Sequence, residues 1–216
     1  MRSFSTIDLI ALTTALQYTV LLVLLALAFG SPLALLFALL RTAQAAVPRW
    51  LTALFLQVVQ GVPLLALLMF FYFGLPVFLG IQIPALAAVT IAFTIYTAVF
   101  LGEIWRGGIE AVKQTQWEAA ASLGISRWQQ FRHVIAPQAM KVALPATVGF
   151  LVQLIKGTSL AAVVGFIELT RAGQLASAAT FQPLLVYSVV AAIYFAICFP
   201  LTLLSRNLEA RLNGAR

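Results

Sequence analysis

The chain has 216 residues, of which 62% are hydrophobic and only 9% charged, and it carries a net charge of +7. A soluble domain is close to half apolar and about a quarter charged, so the composition excludes a soluble enzyme or binding module and places the chain in a bilayer. The positive balance is the Lys and Arg excess that gathers at the cytoplasmic ends of membrane helices, and it points to no nucleic-acid partner. The single cysteine, Cys198, permits neither an internal disulfide nor a thiolate metal site.

The apolar runs are long enough to cross a hydrocarbon core that needs roughly 20 residues per helix, and strand-like alternation is absent. One all-α, polytopic helical bundle over residues 1–216 is therefore expected. The amino terminus lacks the pattern of a cleaved signal peptide, so the first span is expected to be retained. That span covers about residues 14–40 and should bend at Pro32. A second span, about 50–73, is interrupted by Gln57, Gln60, Gly61 and Pro63, which free backbone carbonyls that are tolerated only inside protein or beside a watery cavity. Residues 74–84, uncharged and rich in Gly and Pro, read as a tight external turn. The third span is about 85–105, the fourth about 139–155 and the fifth about 184–204. Residues 156–183 mix polar and apolar types and predict a short span-end followed by a helix lying along the surface.

Between the third and fourth spans lies a polar stretch, TQWEAAASLGISRWQQFRHVIAP, residues 115–137. Thr115-x-x-Glu118 has the form of a capping box, predicting a helix from Gln116. Gly124 can end that helix. Ser126-x-x-Gln129 repeats the box and predicts a second helix, which Pro137 should stop. Ten Lys and Arg fall on the side of the five-span topology that holds this pair and three on the other. The positive-inside rule then puts the pair and the carboxyl terminus in the cytoplasm and the amino terminus outside. A helix-turn-helix reading DNA is one alternative, but the pair is tied to spans within a few residues at both ends, which would hold a recognition helix against the bilayer. His133 has no second ligand nearby, so no metal site is expected.

Glu118-Ala119-Ala120, three residues, Gly124, nine residues, then Val134-Ile135-Ala136-Pro137 resembles the EAA loop of the permease subunits of ABC importers. Val134 and Ala136 depart from that pattern's Ile and Leu. EIWRGGIEAV before the loop, PQAMKVALP after it, GVPLLALLMFFYFGLP in the second span and KGTSLAAVVGFIELT after the fourth resemble the polar-amino-acid branch, of histidine, glutamine, glutamate or arginine type. The resemblance implies a type I importer fold with five transmembrane helices, a coupling loop over about 107–138, and transport of a polar amino acid or close analogue by alternating access. It implies a bacterial inner-membrane location amid membrane lipid. Its partners would be ABC ATPase subunits, a second permease subunit and an extracytoplasmic amino-acid-binding protein. No cofactor would be bound by this chain, since ATP and Mg would sit on the ATPase; the sequence has no GxxxxGK[ST] phosphate loop of its own, and no catalysis is expected of it.

In the loop, Ala119 and Ala120 keep the helix thin, Gly124 permits a sharp turn, and Trp117 and Trp128 offer apolar anchors to an ATPase. Glu118 is open to two roles, cap or contact. In the bilayer, hydrogen-bonding and ionisable groups suggest a pathway: Gln57, Gln60, Gln153 and Lys156, with Thr158 and Ser159, while Glu103 reads as a helix-end ion pair with Arg106 at i+3. Relatives often carry Arg where Gln60 precedes Gly61 and Pro63, a carboxylate where Phe150 stands, and Asp at Gly157. These departures imply a heterodimeric permease whose non-identical partner carries most binding groups, or a substrate recognised mainly outside the membrane. A stand-alone channel or secondary carrier is the remaining alternative, and the central spans offer a carrier almost no coupling carboxylates.

Overall fold

The computed structural model describes residues 3–214, and these are helical with no strand among them. Helix α1 runs from Thr6 to Thr42, starting earlier than its hydropathy suggests. The Asp8 carboxylate accepts bonds from the Ser5 backbone N–H at 3.0 Å and the Ser5 hydroxyl at 3.1 Å, which fixes the first turn. Pro32 lies inside α1 and does not divide it. In a membrane bundle neighbouring helices and local adjustments absorb such a proline.

The second span is a sharply broken one. Helix α2, Ala46–Gln60, and a second rod, residues 64–79, meet at 96°. The rod comprises α3, Leu64–Met69, a π-helical turn, Phe70–Gly74, and α4, Leu75–Leu79. The external turn expected over 74–84 is therefore shorter, because Pro76 is tolerated in the first turn of α4, and the left-handed Gly80 ends that helix. Helix α5, Ala85–Glu110, reaches five residues beyond the expected end of the third span. It packs along α1, where Ala26 and Ala34 meet Ala92 and Phe93 in the main apolar core. Small side chains let the backbones approach, which is how helices associate where lipid is as apolar as the core.

The polar stretch folds as α6, Gln114–Ser122, and α7, Arg127–Gln130. A π-helical turn, Phe131–Ile135, then leads without a break into α8, Ala136–Gly157. Pro137 does not stop the second helix. It sits at the start of α8, where the wide π turn leaves room for its ring and no N–H is needed. A 3-10 segment, Thr158–Val164, extends α8, and α9, Leu169–Thr180, follows. Helix α9 is not merely laid on the surface: Leu169 and Ala172 are buried with Leu12 and Ala15 of α1 and Val190 of α10. Helix α10, Pro183–Gly214, is the last long helix and extends beyond the expected fifth span. Four helices are each long and apolar enough to span a membrane, and the bent α2–α3/α4 pair brings the total to five.

Candidate functional site: the paired-helix loop and the α5–α8 seam

The loop is anchored from below by a small apolar cluster. Ile109 and Val112 near the end of α5, Ile135 and Ala139 at the start of α8, and Ala38 of α1 are buried together, with Trp117 and Phe131 packed on them. Gly108 allows this closeness, since a Cβ there would lie 2.8 Å from the Ala139 carbonyl oxygen and 2.9 Å from the Ala143 Cβ. Gln138 strengthens the join by donating to Gln116 Oε1 at 3.2 Å and to the Val134 carbonyl at 2.9 Å. Beside the loop, Glu103 accepts from Arg41 at 3.3 Å and from Arg106 at 2.7 and 2.9 Å, and Arg106 also pairs with Glu110. The expected Glu103–Arg106 pair is thus present, and it extends to α1.

The first capping box does not form. Helix α6 opens after Lys113, so Thr115 and Glu118 both lie inside it. Glu118 cannot cap and faces solvent beside exposed Ala119. Ala120, at 2% exposure, is the alanine that packs inward. Gly124 has φ +68°, a left-handed conformation that side chains disfavour, and this reverses the chain after α6. The second box does form: the Gln129 amide donates to Ser126 Oγ at 3.4 Å, and the Ser126 amide to Gln129 Oε1 at 2.9 Å. The two tryptophans diverge. Trp117 is half-buried in the anchoring cluster, whereas Trp128 is 62% exposed and stacked on Phe131 at 6.1 Å. Leu123, 73% exposed at the turn, belongs to the same outward surface and was not singled out by the motif. Its signal in the sequence is an apolar residue next to a turn glycine.

Within the bundle, α5 and α8 share a seam of aromatic rings with one amide. Phe150 is buried at 5% exposure, with ring centroids 5.9 Å from Tyr96 and 6.2 Å from Phe100. One turn further, Gln153 donates from Nε2 to the Tyr96 hydroxyl at 2.7 Å. Tyr96 and Phe100 were missed by a search for amides and charges. Lys156 is exposed, and Ser159 donates to the Lys156 carbonyl at 2.8 Å. Thr158 is fully buried and donates to the Ile155 carbonyl at 2.7 Å, and its hydroxyl is also a hydrogen-bond neighbour of Tyr194 of α10. Gly157 meets Leu64 of α3, whose Cδ2 would lie 3.3 Å from an added Cβ. Gln60, Gly61 and Pro63 sit at the sharp break, where the Gly61 amide donates back to the Gln57 carbonyl at 3.0 Å. Gln57 and Gln60 are exposed, and among the described residues no hydrogen bond joins them to the Gln153–Tyr96 pair. The structure therefore gathers Phe150, Gln153 and Lys156 along α8 and leaves the two α2 glutamines apart. Among the described residues no cluster of metal-ligating side chains occurs.

A bundle of five apolar spans, with a paired-helix loop rising from one end of α5 and passing straight into α8, has the architecture of the membrane subunit of a primary importer. Residues 30–214 match the family described as the binding-protein-dependent transport system inner membrane component, and the chain belongs to that family, the permeases of ABC importers. Among its relatives, the Bacillus subtilis "Probable amino-acid ABC transporter permease protein YckA" is 38% identical over 84% of this chain and 80% of its own. The glutamine transport system permease protein GlnP of Escherichia coli is 35% identical over 88% and 87%. The fold matches a chain in the crystal structure of an amino acid ABC transporter with histidines, with a TM-score of 0.86, 30% identity and coverage of 97% of this chain and 100% of that one. An inward-facing MetNI methionine transporter shares the fold at a TM-score of 0.72 and 18% identity.

Proposed function

We propose that this permease imports a polar amino acid or close analogue, with its α6–α7 loop and carboxyl terminus in the cytoplasm and its amino terminus outside. The observation that carries the coupling role is the division of the loop into two faces. Trp117 and Ala120 bind it to the permease's own helices, while Glu118, Ala119, Leu123 and Trp128 are left outward on a short, rigid support. That outward face is the surface offered to a separate ATPase subunit, which holds ATP and Mg and does the hydrolysis; the permease itself does no covalent chemistry. The amino-acid cargo is supported by the relatives' own transport roles.

The pathway runs beside α8, past Phe150, Gln153 and Lys156, and is bounded across the bundle by the break at Gln60, Gly61 and Pro63. Phe150 brings no charge to it and is buried, stacked on Phe100 and tilted against Tyr96, so the group the seam offers a substrate is the amide of exposed Gln153. A non-identical second permease supplies the remaining polar groups, and an extracytoplasmic binding protein delivers the substrate. The test is reconstitution of the co-purified complex in vesicles loaded with ATP, using glutamine, arginine and cystine as probes. ATP-dependent uptake of one of them is expected, together with two permease masses in the complex. Uptake that persisted with no ATPase subunit present would refute the coupling reading.

A further inference from the structure

At the end of the bundle remote from the loop, one ionisable side chain is fully buried and has no place in the pathway described above. Glu168 has 0% exposure and stands immediately before α9. No described Lys or Arg forms an ion pair with it; the neighbouring Arg171 guanidinium turns instead to Gln174 Oε1 at 2.9 Å. Its carboxylate is satisfied by hydrogen-bond donors. Oε1 accepts from the Arg171 amide at 2.8 Å, and Oε2 from the Thr170 amide at 2.9 Å, so the side chain caps α9 and lies at the positive end of its dipole. Oε2 also accepts from the Tyr194 hydroxyl of α10 at 2.9 Å, and that hydroxyl lies 3.1 Å from Thr170 Oγ1. Burial pushes the Glu168 carboxyl above the usual range, and the donor bonds work against that shift. The next amide, of Leu169, donates to Thr19 of α1 at 3.2 Å.

A helix cap alone would be served by Ser, Thr, Asp or Asn on the surface. The long carboxylate sunk into the bundle does more, because the oxygen that holds the α9 amide also holds α10. The stretch it terminates is the 3-10 segment Thr158–Val164, which begins two residues after Lys156 and turns through the left-handed Gly165. This poorly hydrogen-bonded helix type is uncommon in long runs. Its near end continues α8. Its far end is held by the Glu168–Tyr194 bond.

Resting on the pathway reading above, we propose that Glu168 and Tyr194 are a positioning pair that clamps the chain following the 3-10 segment to α10 and so fixes the position of Lys156 and Ser159 relative to α10. The two functions of Glu168 can be separated. Tyr194→Phe removes the hydroxyl with its bonds to Glu168, Thr170 and Thr158, and leaves the two backbone amides that Glu168 caps on α9 untouched. Glu168→Gln keeps one acceptor oxygen and puts an N–H donor against an amide, weakening both.

The experiment places spin labels at exposed Val163 and Ser188 in a Cys198→Ala background of the complete transporter, diluted so that distances within one subunit are read. Uptake of the transported probe per ATP hydrolysed is measured alongside. The wild type is expected to give one narrow distance distribution without nucleotide and with trapped ATP. In Tyr194→Phe the distribution should broaden, and transport per ATP should fall at least fivefold while hydrolysis stays within twofold. The double variant with Glu168→Gln should lose no further transport per ATP than the worse single variant, since both changes act on the same Glu168–Tyr194 bond. An unchanged distribution and coupling ratio in Tyr194→Phe would overturn the proposal, as would a broad distribution in the wild type. Tyr194→Phe alone decides the matter if Glu168→Gln fails to assemble.

Discussion

Gln153 Nε2 donates to the Tyr96 hydroxyl at 2.7 Å, and this amide–phenol bond joins α8 to α5 beside the stacked rings of Phe150 and Phe100. The bond fixes which way the amide faces, and in the proposed pathway it is the Gln153 carbonyl oxygen that meets the substrate. Tyr96→Phe should release the amide at a stability cost of about 0.5 to 1.5 kcal/mol, the usual net worth of such a bond. Gln153→Leu should lower probe uptake several-fold with ATP hydrolysis retained. Thermal unfolding of the detergent-solubilised complex and vesicle uptake are the two measurements. Equal uptake in Gln153→Leu and wild type would remove this residue from the pathway.

The two loop tryptophans should give opposite phenotypes. Trp117→Ala takes a large ring out of the cluster with Ile109, Ile135 and Ala139, and a loss of about 3 kcal/mol is expected for such a truncation when fully buried, less here because Trp117 is only half-buried. Trp128→Ala touches little within this chain, so stability should stay within about 0.5 kcal/mol. Its association with the ATPase subunit should weaken at least tenfold if it is an anchor, as buried interface tryptophans often are. Melting temperature together with ATPase pull-down separates the two.

Glu118 and Ser126 provide a similar contrast in caps. Ser126→Ala should cost about 1 kcal/mol of local stability because its side chain holds the Gln129 amide. Glu118→Gln should leave melting unchanged, because Glu118 lies inside α6 and caps nothing. A selective loss of ATP-stimulated uptake in Glu118→Gln would assign it to the contact with the ATPase. A loss of thermal stability comparable to that of Ser126→Ala would instead return it to a structural role.

Gly124→Ala should strain the turn by about 1 kcal/mol, the penalty of a left-handed backbone for a residue with a Cβ. Nothing lies within 4 Å of that Cβ, so the chain should still assemble. The expected defect is in coupling: uptake per ATP hydrolysed should fall while membrane insertion is normal. Gly124→Asn, which tolerates the left-handed region better, should restore part of it.

The residues that spoke most clearly in the sequence were those whose role is local. Ser126 and Gln129 are three apart and cap each other wherever the fold places them, and Gly124 meets a backbone demand within its own turn. Thr115 and Glu118 have the same spacing, yet α6 begins earlier because the chain leaves α5 after Glu110 and re-enters helix at Gln114, and tertiary packing of Trp117 and Ala120 sets that phase. Pro137 misled because a proline stops an ordinary α-helix, and nothing in its neighbours announces a π turn. The seam was legible only in part: Gln153 stands out as an amide in an apolar run, but Tyr96 and Phe100 look like any membrane aromatics until α5 is laid on α8. Glu168 was passed over because its partner, Tyr194, is 26 residues away and on another helix.

The π turn at Phe131–Ile135 has one more consequence. Because Pro137 does not interrupt the helix, residues 127–164 form one 38-residue rod, about 55 Å long at 1.5 Å per residue. Its foot carries Trp128 and its upper reach carries Gln153 and Lys156. In the proposed coupling scheme a pull on the foot is passed up one continuous run of backbone, so that fuel and cargo are linked by a single piece of chain.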